Sequence, residues 1–123
     1  MVSYSKKVIE NFLHPKNMGE IKNPDGFAKV GNEVCGDIVW IYLKVNEKKI
    51  IKDIKFKTFG CAAAIASSSI VTQLVKGKKL NDAKKIKQKD IIKKLDGLPS
   101  FKLHCSKMVI DALIKSIEDF EDK

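Results

Sequence analysis

Apolar residues recur at helical spacing near both ends of the chain. Close to the N-terminus, Val8, Ile9, Phe12 and Leu13 follow this spacing until Pro15 ends it. Near the C-terminus the same spacing predicts a helix over residues 102–120. Its predicted core-facing positions are all apolar: Leu103, Val109, Ile110, Leu113, Ile114, Ile117 and Phe120. The pattern therefore predicts a short amphipathic helix at the start and a long one at the end.

The region from residue 27 to residue 59 has the pattern of β-strands. Three strands are predicted, over residues 27–34, 37–45 and 50–59, and a polar turn at 46–49 joins the last two. In the third strand three charged residues alternate with Ile54, Phe56 and Thr58. The charged residues are Asp53, Lys55 and Lys57. We therefore expect a sheet with one buried face and one face in water.

Helical patterns follow the strands. A helix is predicted to open at Cys61 and to reach about residue 76, where Gly77 ends it. Shorter helices are predicted over 81–86 and 88–95, before a break at 96–99. Strands first and helices after them indicate an α+β fold, with a three-stranded antiparallel sheet packed against several helices. At 123 residues and 44% hydrophobic content, we expect one domain over residues 1–123.

The cysteines and the apolar runs narrow the class of protein. No segment approaches the ~20 apolar residues of a membrane span, and the N-terminus lacks the apolar run of a signal peptide. This pattern predicts a cytoplasmic protein without a membrane partner. Three cysteines far apart in the chain fit a disulfide framework badly. They are better explained as reduced thiols of a metal or redox site.

The formal charge of +9 raises nucleic acid as a partner. Most of the excess lies in residues 76–94, here called the lysine-rich segment, which holds nine lysines against Asp82 and Asp90. The chain has no arginine for bidentate contacts to bases or phosphates. We therefore expect no nucleic-acid partner. A solvated lysine face and a docking surface for an acidic protein both remain open.

The predicted topology brings distant cysteines to one place. An antiparallel pairing of the second and third strands places the start of one beside the end of the other, ~4.8 Å apart. Cys35 and Asp37 lie at that start, and Cys61 lies at that end. Cys61 and the pair His104 and Cys105 each open a predicted helix, where the partial positive charge lowers the pKa of a thiol. The five residues together predict a metal or cluster site.

The cysteines and several polar residues also have simpler structural explanations. A lone cysteine is most often a small buried apolar residue, but this explains three at loop and helix-start positions poorly. The run Ser67, Ser68 and Ser69 has no base nearby in sequence, and we expect it to form a polar helix face. His14, beside Pro15, is expected at the surface.

Five motifs give the chain a resemblance to a known family. They are Tyr4-Ser5-Lys6-Lys7-Val8-Ile9-Glu10, His14-Pro15-Lys16-Asn17-Met18-Gly19, Cys35-Gly36-Asp37, Phe59-Gly60-Cys61-Ala62 running on to Ala66-Ser67-Ser68, and Leu103-His104-Cys105-Ser106. At these residues the chain resembles the IscU family, which is related to the N-terminal part of NifU. The resemblance covers nearly the whole sequence.

The resemblance implies a scaffold rather than an enzyme. A cysteine desulfurase would deliver persulfide sulfur, iron would be added, and an electron donor such as ferredoxin would reduce the sulfur. A transient 2Fe-2S cluster would form and pass to apo-proteins, with a homodimer as one form of the loaded protein. The family's ligands correspond to Cys35, Asp37, Cys61 and Cys105, with His104 beside them, and zinc occupies the same site in some members. Whether Asp37 or His104 is the fourth ligand, and whether the product is 2Fe-2S or 4Fe-4S, stays open.

Two departures from the family pattern bear on partners. Members served by a dedicated Hsp70-type chaperone carry Leu-Pro-Pro-Val-Lys, whereas this chain has Leu98-Pro99-Ser100-Phe101-Lys102. Recognition by that chaperone is therefore in doubt. The chain also lacks the insertion that marks the zinc-dependent SufU branch, which favours a scaffold over a sulfur relay.

Two other functions also fit the sequence. One is a zinc-bound sulfur acceptor of the SufU kind, and the other is a basic nucleic-acid binder with a structural metal. Within the main hypothesis, Cys105 is expected to be the chief persulfide acceptor. A thiol that begins a helix after the Pro99 loop should be both rich in thiolate and accessible to the donor cysteine of a desulfurase. Asp37 is expected to be the labile ligand, since a carboxylate binds iron less tightly than a thiolate.

Overall fold

Three strands and five helices form in the order that the sequence pattern predicts. A computed structural model describes residues 4–32 and 36–123. The elements in the described chain are α1 (Lys6–Leu13), β1 (Gly26–Gly31), β2 (Ile38–Val45), β3 (Ile51–Phe59), α2 (Ala62–Val75), α3 (Leu80–Ala83), α4 (Gln88–Lys94) and α5 (Leu103–Glu121). A short 3-10 turn, Ser100–Lys102, leads directly into α5. Cys35 lies outside the described residues.

The strands form one antiparallel sheet in the order β1-β2-β3. Ile38 at the start of β2 pairs with Phe59 at the end of β3, as the predicted hairpin requires. A register shift at Lys44 and Val45 lets Ile51 share the buried face with Ile54, three positions later. The predicted α+β fold is confirmed.

Apolar residues on one face of the sheet meet the helices. Val39, Ile41 and Leu43 of β2 are fully buried, and so are Ile54 and Phe56 of β3. α5 packs on β1 and β2, and α2 packs on β3. The other face carries Trp40, Tyr42 and the lysines of β1 and β3, because successive side chains of a strand point to opposite sides.

Helix α2 differs from the prediction in one respect. Ser67, Ser68 and Ser69 do not form an exposed polar face, since all three are fully buried. α2 contacts α1, α4, α5 and β3, so almost no side of it meets solvent. Small side chains let these neighbours approach closely. Gly77, just beyond the helix, has a φ of +87°, which suits glycine and confirms the predicted stop.

The last helix matches its predicted range within one residue at each end. Val109, Leu113 and Ile117 are fully buried, as predicted. Leu103, Ile110, Ile114 and Phe120 are only partly buried. Cys105, Met108 and Ala112 complete the buried face of α5, which is therefore turned slightly from the one that large apolar residues alone suggest.

The lysine-rich segment lies mainly in solvent. Lys76 pairs with Asp53 at 3.4 Å, and Lys84 pairs with Glu121 at 2.6 Å. The remaining lysines of the segment are exposed: Lys78, Lys79, Lys85, Lys87, Lys89, Lys93 and Lys94. His14 is also exposed, as expected. Among the described residues, no helix combines the length and the apolar character needed to cross a membrane.

Candidate metal centre

Three separate elements bring ligand atoms to one end of the sheet. Asp37 directly precedes β2, Cys61 is the N-cap of α2, and Cys105 lies in the first turn of α5. One ligand atom from each of these residues lies within 4.8 Å of the other two. Because Ile38 pairs with Phe59, the residues that flank this pair, Asp37 and Gly60, become neighbours. The convergence of Asp37 and Cys61 predicted from strand pairing is therefore present.

The spacing of the sulfur atoms suits a single metal ion. Cys61 Sγ lies 3.6 Å from Cys105 Sγ. Two thiolates on a tetrahedral zinc, with Zn–S bonds of ~2.3 Å, stand ~3.8 Å apart. His104 Nε2 also lies 3.6 Å from Cys105 Sγ, at the edge of the group. Two thiols, a carboxylate and an imidazole form a donor set that suits zinc or iron.

The Asp37 carboxylate is buried with one oxygen unused. Asp37 is 9% exposed, and its Oδ2 has no hydrogen-bond partner among the described residues. A buried carboxylate oxygen without a partner is costly, unless a cation or a donor satisfies it. Gly60 makes room for this group, since a Cβ there would lie 2.9 Å from Asp37 Cγ. Its burial and its unpaired oxygen make Asp37 a candidate metal ligand.

The two described thiols differ in acidity because they share one hydrogen bond. Cys61 and Cys105 share a thiol–thiol hydrogen bond, and this contact is the main reason that the pKa of Cys61 is lowered to about 6. The backbone at Ala64 and the Lys102 ammonium lower the Cys61 pKa further, against the opposing effects of burial and Asp37. The same hydrogen bond and burial raise the pKa of Cys105. Near neutral pH the metal-free pair therefore carries its negative charge on Cys61.

Lys102 is a member of the site that the sequence argument did not identify. The charge on Cys61 is the main cause of a raised pKa for Lys102, which places its ammonium near that sulfur. Lys102 ends the 3-10 turn and precedes α5, so its backbone position is tied to that of His104 and Cys105. Its place one residue before Leu103-His104-Cys105 was the available signal.

Cys105 does not have the environment from which its role was argued. The expected role as persulfide acceptor needs an accessible thiol at a helix start, with a lowered pKa. Cys105 instead is fully buried and its pKa is raised, while Cys61 is partly exposed. The 3-10 turn extends the helical backbone ahead of α5, and the hydrogen bond to Cys61 outweighs the effect of the helix start. The premise of accessibility is wrong, and the persulfide role itself stays a prediction.

The solvent side of the site is a shallow depression rather than a deep pocket. It encloses about 390 Å³ and is lined by Gly36, Asp37, Thr58, Phe59 and Gly60. A larger cavity of about 640 Å³ lies at the other end of the sheet, by the turn at Lys48 and Lys49, and no cysteine lines it. The smaller depression is the one beside the candidate site, because Asp37 lines it and ligand atoms of Cys61 and Cys105 lie within 4.8 Å of the Asp37 carboxylate.

Comparisons with known proteins find relatives over nearly the whole chain. A family model described as the NifU-like N-terminal domain matches residues 3–123. The chain is 50% identical over 117 residues to iron-sulfur cluster assembly scaffold protein IscU 1 of Archaeoglobus fulgidus, covering 95% of this chain and 76% of that protein. It is 46% identical over 125 residues to the IscU scaffold protein of Escherichia coli K12, covering 99% and 97%.

Solved structures show the same fold at lower sequence identity. The SUF-system protein FiSufU of Fervidobacterium islandicum superposes with a TM-score of 0.79 at 22% identity, covering 93% of this chain and 96% of that chain. The N-terminal part of a NifU-like protein from Brucella abortus gives 0.74 at 23% identity, covering 96% and 94%. Both likenesses support the architecture alone.

Proposed function

The chain belongs to the NifU-like N-terminal domain family, and from that premise we propose that it is an iron-sulfur cluster assembly scaffold of the IscU type. The convergence of Asp37, Cys61 and Cys105 within 4.8 Å carries the proposal. These ligands come from the ends of three elements, and the depression beside Phe59 opens onto Asp37. The cluster is the cargo of such a protein rather than a resident cofactor.

The proposed sequence begins with sulfur transfer. A thiolate of the scaffold attacks the outer sulfur of a cysteine desulfurase persulfide, a new S–S bond forms, and the desulfurase thiolate leaves. Two electrons from a donor such as ferredoxin then reduce the bound sulfur to sulfide, which releases the scaffold thiolate. Sulfide and iron combine at Cys35, Asp37, Cys61 and Cys105 in a 2Fe-2S cluster, and His104 is the alternative to Asp37. An apo-protein finally takes the cluster.

Cys105 remains the proposed site of the persulfide, although its thiol is fully buried in this structure. Cys61 is the more exposed thiol and the one with the lowered pKa, and its sulfur lies 3.6 Å from that of Cys105. A donor reaches Cys105 directly only if the surrounding chain moves, because its thiol is fully buried. Mass spectrometry after a brief exposure to desulfurase and cysteine tests this step. Extra sulfur confined to Cys61 or Cys35 would reject the assignment to Cys105.

The chemistry of the thiols also supports the proposed setting. Cys61 and Cys105 are close enough to react with each other under oxidising conditions, and they serve as ligands only when reduced. We therefore place the protein in the cytoplasm. Its proposed partners there are a desulfurase, an electron donor and apo-acceptors. A homodimer around a shared cluster is part of the same proposal.

A zinc-bound sulfur acceptor is the second candidate, because the sulfur spacing suits one tetrahedral ion. Anaerobic reconstitution with iron, cysteine, a desulfurase and a reductant such as reduced ferredoxin distinguishes the two functions. A scaffold develops visible sulfur-to-iron charge-transfer absorption, with iron and sulfide in equal amounts. A protein that gains sulfur but no iron under these conditions is the sulfur acceptor.

The two histidines provide a matched control for the fourth ligand. His104 lies beside the sulfurs, whereas His14 is exposed at the end of α1. We expect His104→Ala to change the absorption and circular dichroism of the loaded protein if His104 ligates the cluster. His14→Ala should leave both spectra unchanged.

A further inference from the structure

The face of the sheet away from the helices carries a second organised surface. Strand pairing aligns Lys29, Trp40 and Lys57 in one row across the three strands, and Phe27, Tyr42 and Lys55 in the next. We call these six residues the outer face. It contains Trp40, which is the only tryptophan of the chain.

Five of the six side chains of the outer face, all except Lys55, are ordered by contacts with one another. The ammonium groups of Lys29 and Lys57 each lie 5.6 Å from the centre of the Trp40 ring. The rings of Phe27 and Tyr42 are 5.2 Å apart and tilted by 52°. Lysines held on aromatic rings lose less side-chain entropy when they bind a partner than free lysines do. The surface is therefore preorganised.

The six residues of the outer face include three lysines and no acidic residue. Lys57 pairs with Glu20 at 2.8 Å, and the nearby Asp53 is paired with Lys76. Lys29 and Lys55 form no ion pair among the described residues, although they lie on the two outer strands. Among the described residues, these two ammonium groups thus lie unpaired on either side of an aromatic surface.

This surface leads directly to the metal centre. Phe59, which pairs with Ile38 at the end of β3, is 74% exposed and lies two residues before Cys61. A protein docked on the outer face would reach the depression beside Phe59, Gly60 and Asp37. A surface that orients a partner toward the ligands is useful for electron delivery or cluster transfer.

We propose that the outer face docks an acidic redox protein of the ferredoxin class, with carboxylates on Lys29 and Lys55 and apolar contact on Phe27 and Tyr42. This inference rests on the proposed scaffold function and adds the partner's binding surface. Single-stranded nucleic acid also binds basic aromatic sheets by stacking bases on the rings. Here two ammonium groups already lie on the Trp40 ring, and a base would have to displace both of them. A carboxylate instead pairs with the Lys29 ammonium where it lies.

Charge reversal at two sites tests the proposal with a matched control. The outer-face variant is Lys29→Glu with Lys55→Glu, and the control is Lys85→Glu with Lys89→Glu in the lysine-rich segment. All four lysines lack an ion pair among the described residues, and both variants change the net charge equally. The probe is an acidic 2Fe-2S ferredoxin, and its affinity is measured by calorimetry at low salt.

We expect the outer-face variant to weaken ferredoxin binding about tenfold, and the control variant less than about twofold. Trp40 fluorescence should change when ferredoxin binds the wild-type protein or the control variant. Equal losses in both variants would show that net charge alone steers binding, and unchanged affinity in both would place the ferredoxin elsewhere. Either result overturns the proposal.

Two further measurements separate this proposal from its neighbours. A labelled 15-nucleotide RNA serves as the nucleic-acid probe, and RNA binding that depends on the outer face while ferredoxin binding does not would also overturn the proposal. Chemical reconstitution with iron and sulfide should load the outer-face variant as fully as the wild type. Wild-type protein that fails to load refutes the scaffold function instead, because that assay needs no docked partner.

Discussion

At the scale of single residues, Gly60 decides whether the Asp37 carboxylate can occupy its position. A methyl group at residue 60 would lie 2.9 Å from Asp37 Cγ and 3.2 Å from Ala64 Cβ. A carboxylate pushed aside from a ligand set lowers metal affinity, typically by about tenfold or more. We therefore expect Gly60→Ala to lower zinc affinity by about tenfold, measured by competition with a chelating dye.

Gly31→Ala is the control for this experiment. Gly31 lies at the same end of the sheet, and an added Cβ there meets its nearest atom at an ordinary 3.6 Å. Its zinc affinity should match that of the wild type. Equal affinities for all three proteins would show that Asp37 is not held by Gly60 or does not bind the metal.

The shared hydrogen bond predicts which thiol reacts first. Iodoacetamide attacks the thiolate, and the pKa of Cys61 is lowered to about 6 while that of Cys105 is raised. In metal-free protein we expect the alkylation rate of Cys61 to rise with pH through about 6 and then to level off. Cys105 should react far more slowly across this range.

Peptide mass spectrometry over a pH series measures both rates. Lys102→Met should move the Cys61 midpoint upward because Lys102 favours the thiolate. Lys107→Met, at an exposed lysine of α5, should not move it. Alkylation of Cys105 as fast as that of Cys61 would contradict the assignment of the charge.

Asp37 has a predicted role in releasing the cluster. A carboxylate is a harder and more exchangeable iron ligand than a thiolate, so it offers the position through which an acceptor thiol enters. We expect Asp37→Ala to accept a cluster but to transfer it to an apo-ferredoxin several times more slowly than wild type. Circular dichroism under anaerobic conditions follows the transfer. Transfer at the wild-type rate or faster would show that Asp37 is not the release ligand.

At the scale of elements, the buried serines of α2 differ in what they do. Ser69 donates to Asn11 at 2.8 Å and accepts from the backbone of Lys16 at 3.0 Å, so it ties α2 to the end of α1. Ser67 Oγ is buried with no hydrogen-bond partner among the described residues. The two positions have the same residue type and the same burial, and they differ in their contacts.

Alanine substitutions should separate these contributions. Ser69→Ala is expected to lower the free energy of unfolding by about 1–2 kcal/mol, because it leaves buried partners unsatisfied. Ser67→Ala should be neutral or slightly stabilising, since it removes an unpaired hydroxyl. Urea denaturation measures both, and the gain in helix propensity is common to the two variants. A larger loss for Ser67→Ala would contradict the bonding pattern.

At the scale of the whole molecule, a metal at the site would hold three elements together. Its described ligands come from the start of β2, the N-terminus of α2 and the first turn of α5. Binding to the folded state alone stabilises a protein by about 4 kcal/mol when the free ligand is 1,000 times its Kd. We therefore expect zinc to raise the Tm of the apo-protein by roughly ten degrees or more.

Cysteine substitution provides the control for this effect. Cys61→Ser should lose most of the zinc-induced rise in Tm, and a chelator should reverse the rise in the wild-type protein. Scanning calorimetry with and without zinc makes the measurement. An equal rise for the wild type and the variant would place the stabilising zinc away from this site.

Local patterns in the sequence predict the helices and strands, and also the end of the sheet at which Asp37 and Cys61 meet. Alternation in β3 set its buried face, Gly77 ended α2, and the hairpin placed Asp37 beside Gly60 and Cys61. Each follows from local periodicity or from the geometry of a short turn, which a single segment contains. The family resemblance added the ligand set, of which Cys35 lies outside the described residues.

Only the tertiary structure decided the environment of each ligand and the composition of the surfaces. Burial of Cys105 and of Ser67 to Ser69 depends on how many neighbours pack around α2 and α5, and no periodicity within one helix reports that number. The unequal acidity of Cys61 and Cys105 comes from a contact between the starts of two helices. The two cysteines are 44 positions apart in the chain. The row of Lys29, Trp40 and Lys57 exists because strand register aligns three residues from three strands. Contact between distant segments sets such properties, because burial, charge and hydrogen bonding act through space rather than along the chain.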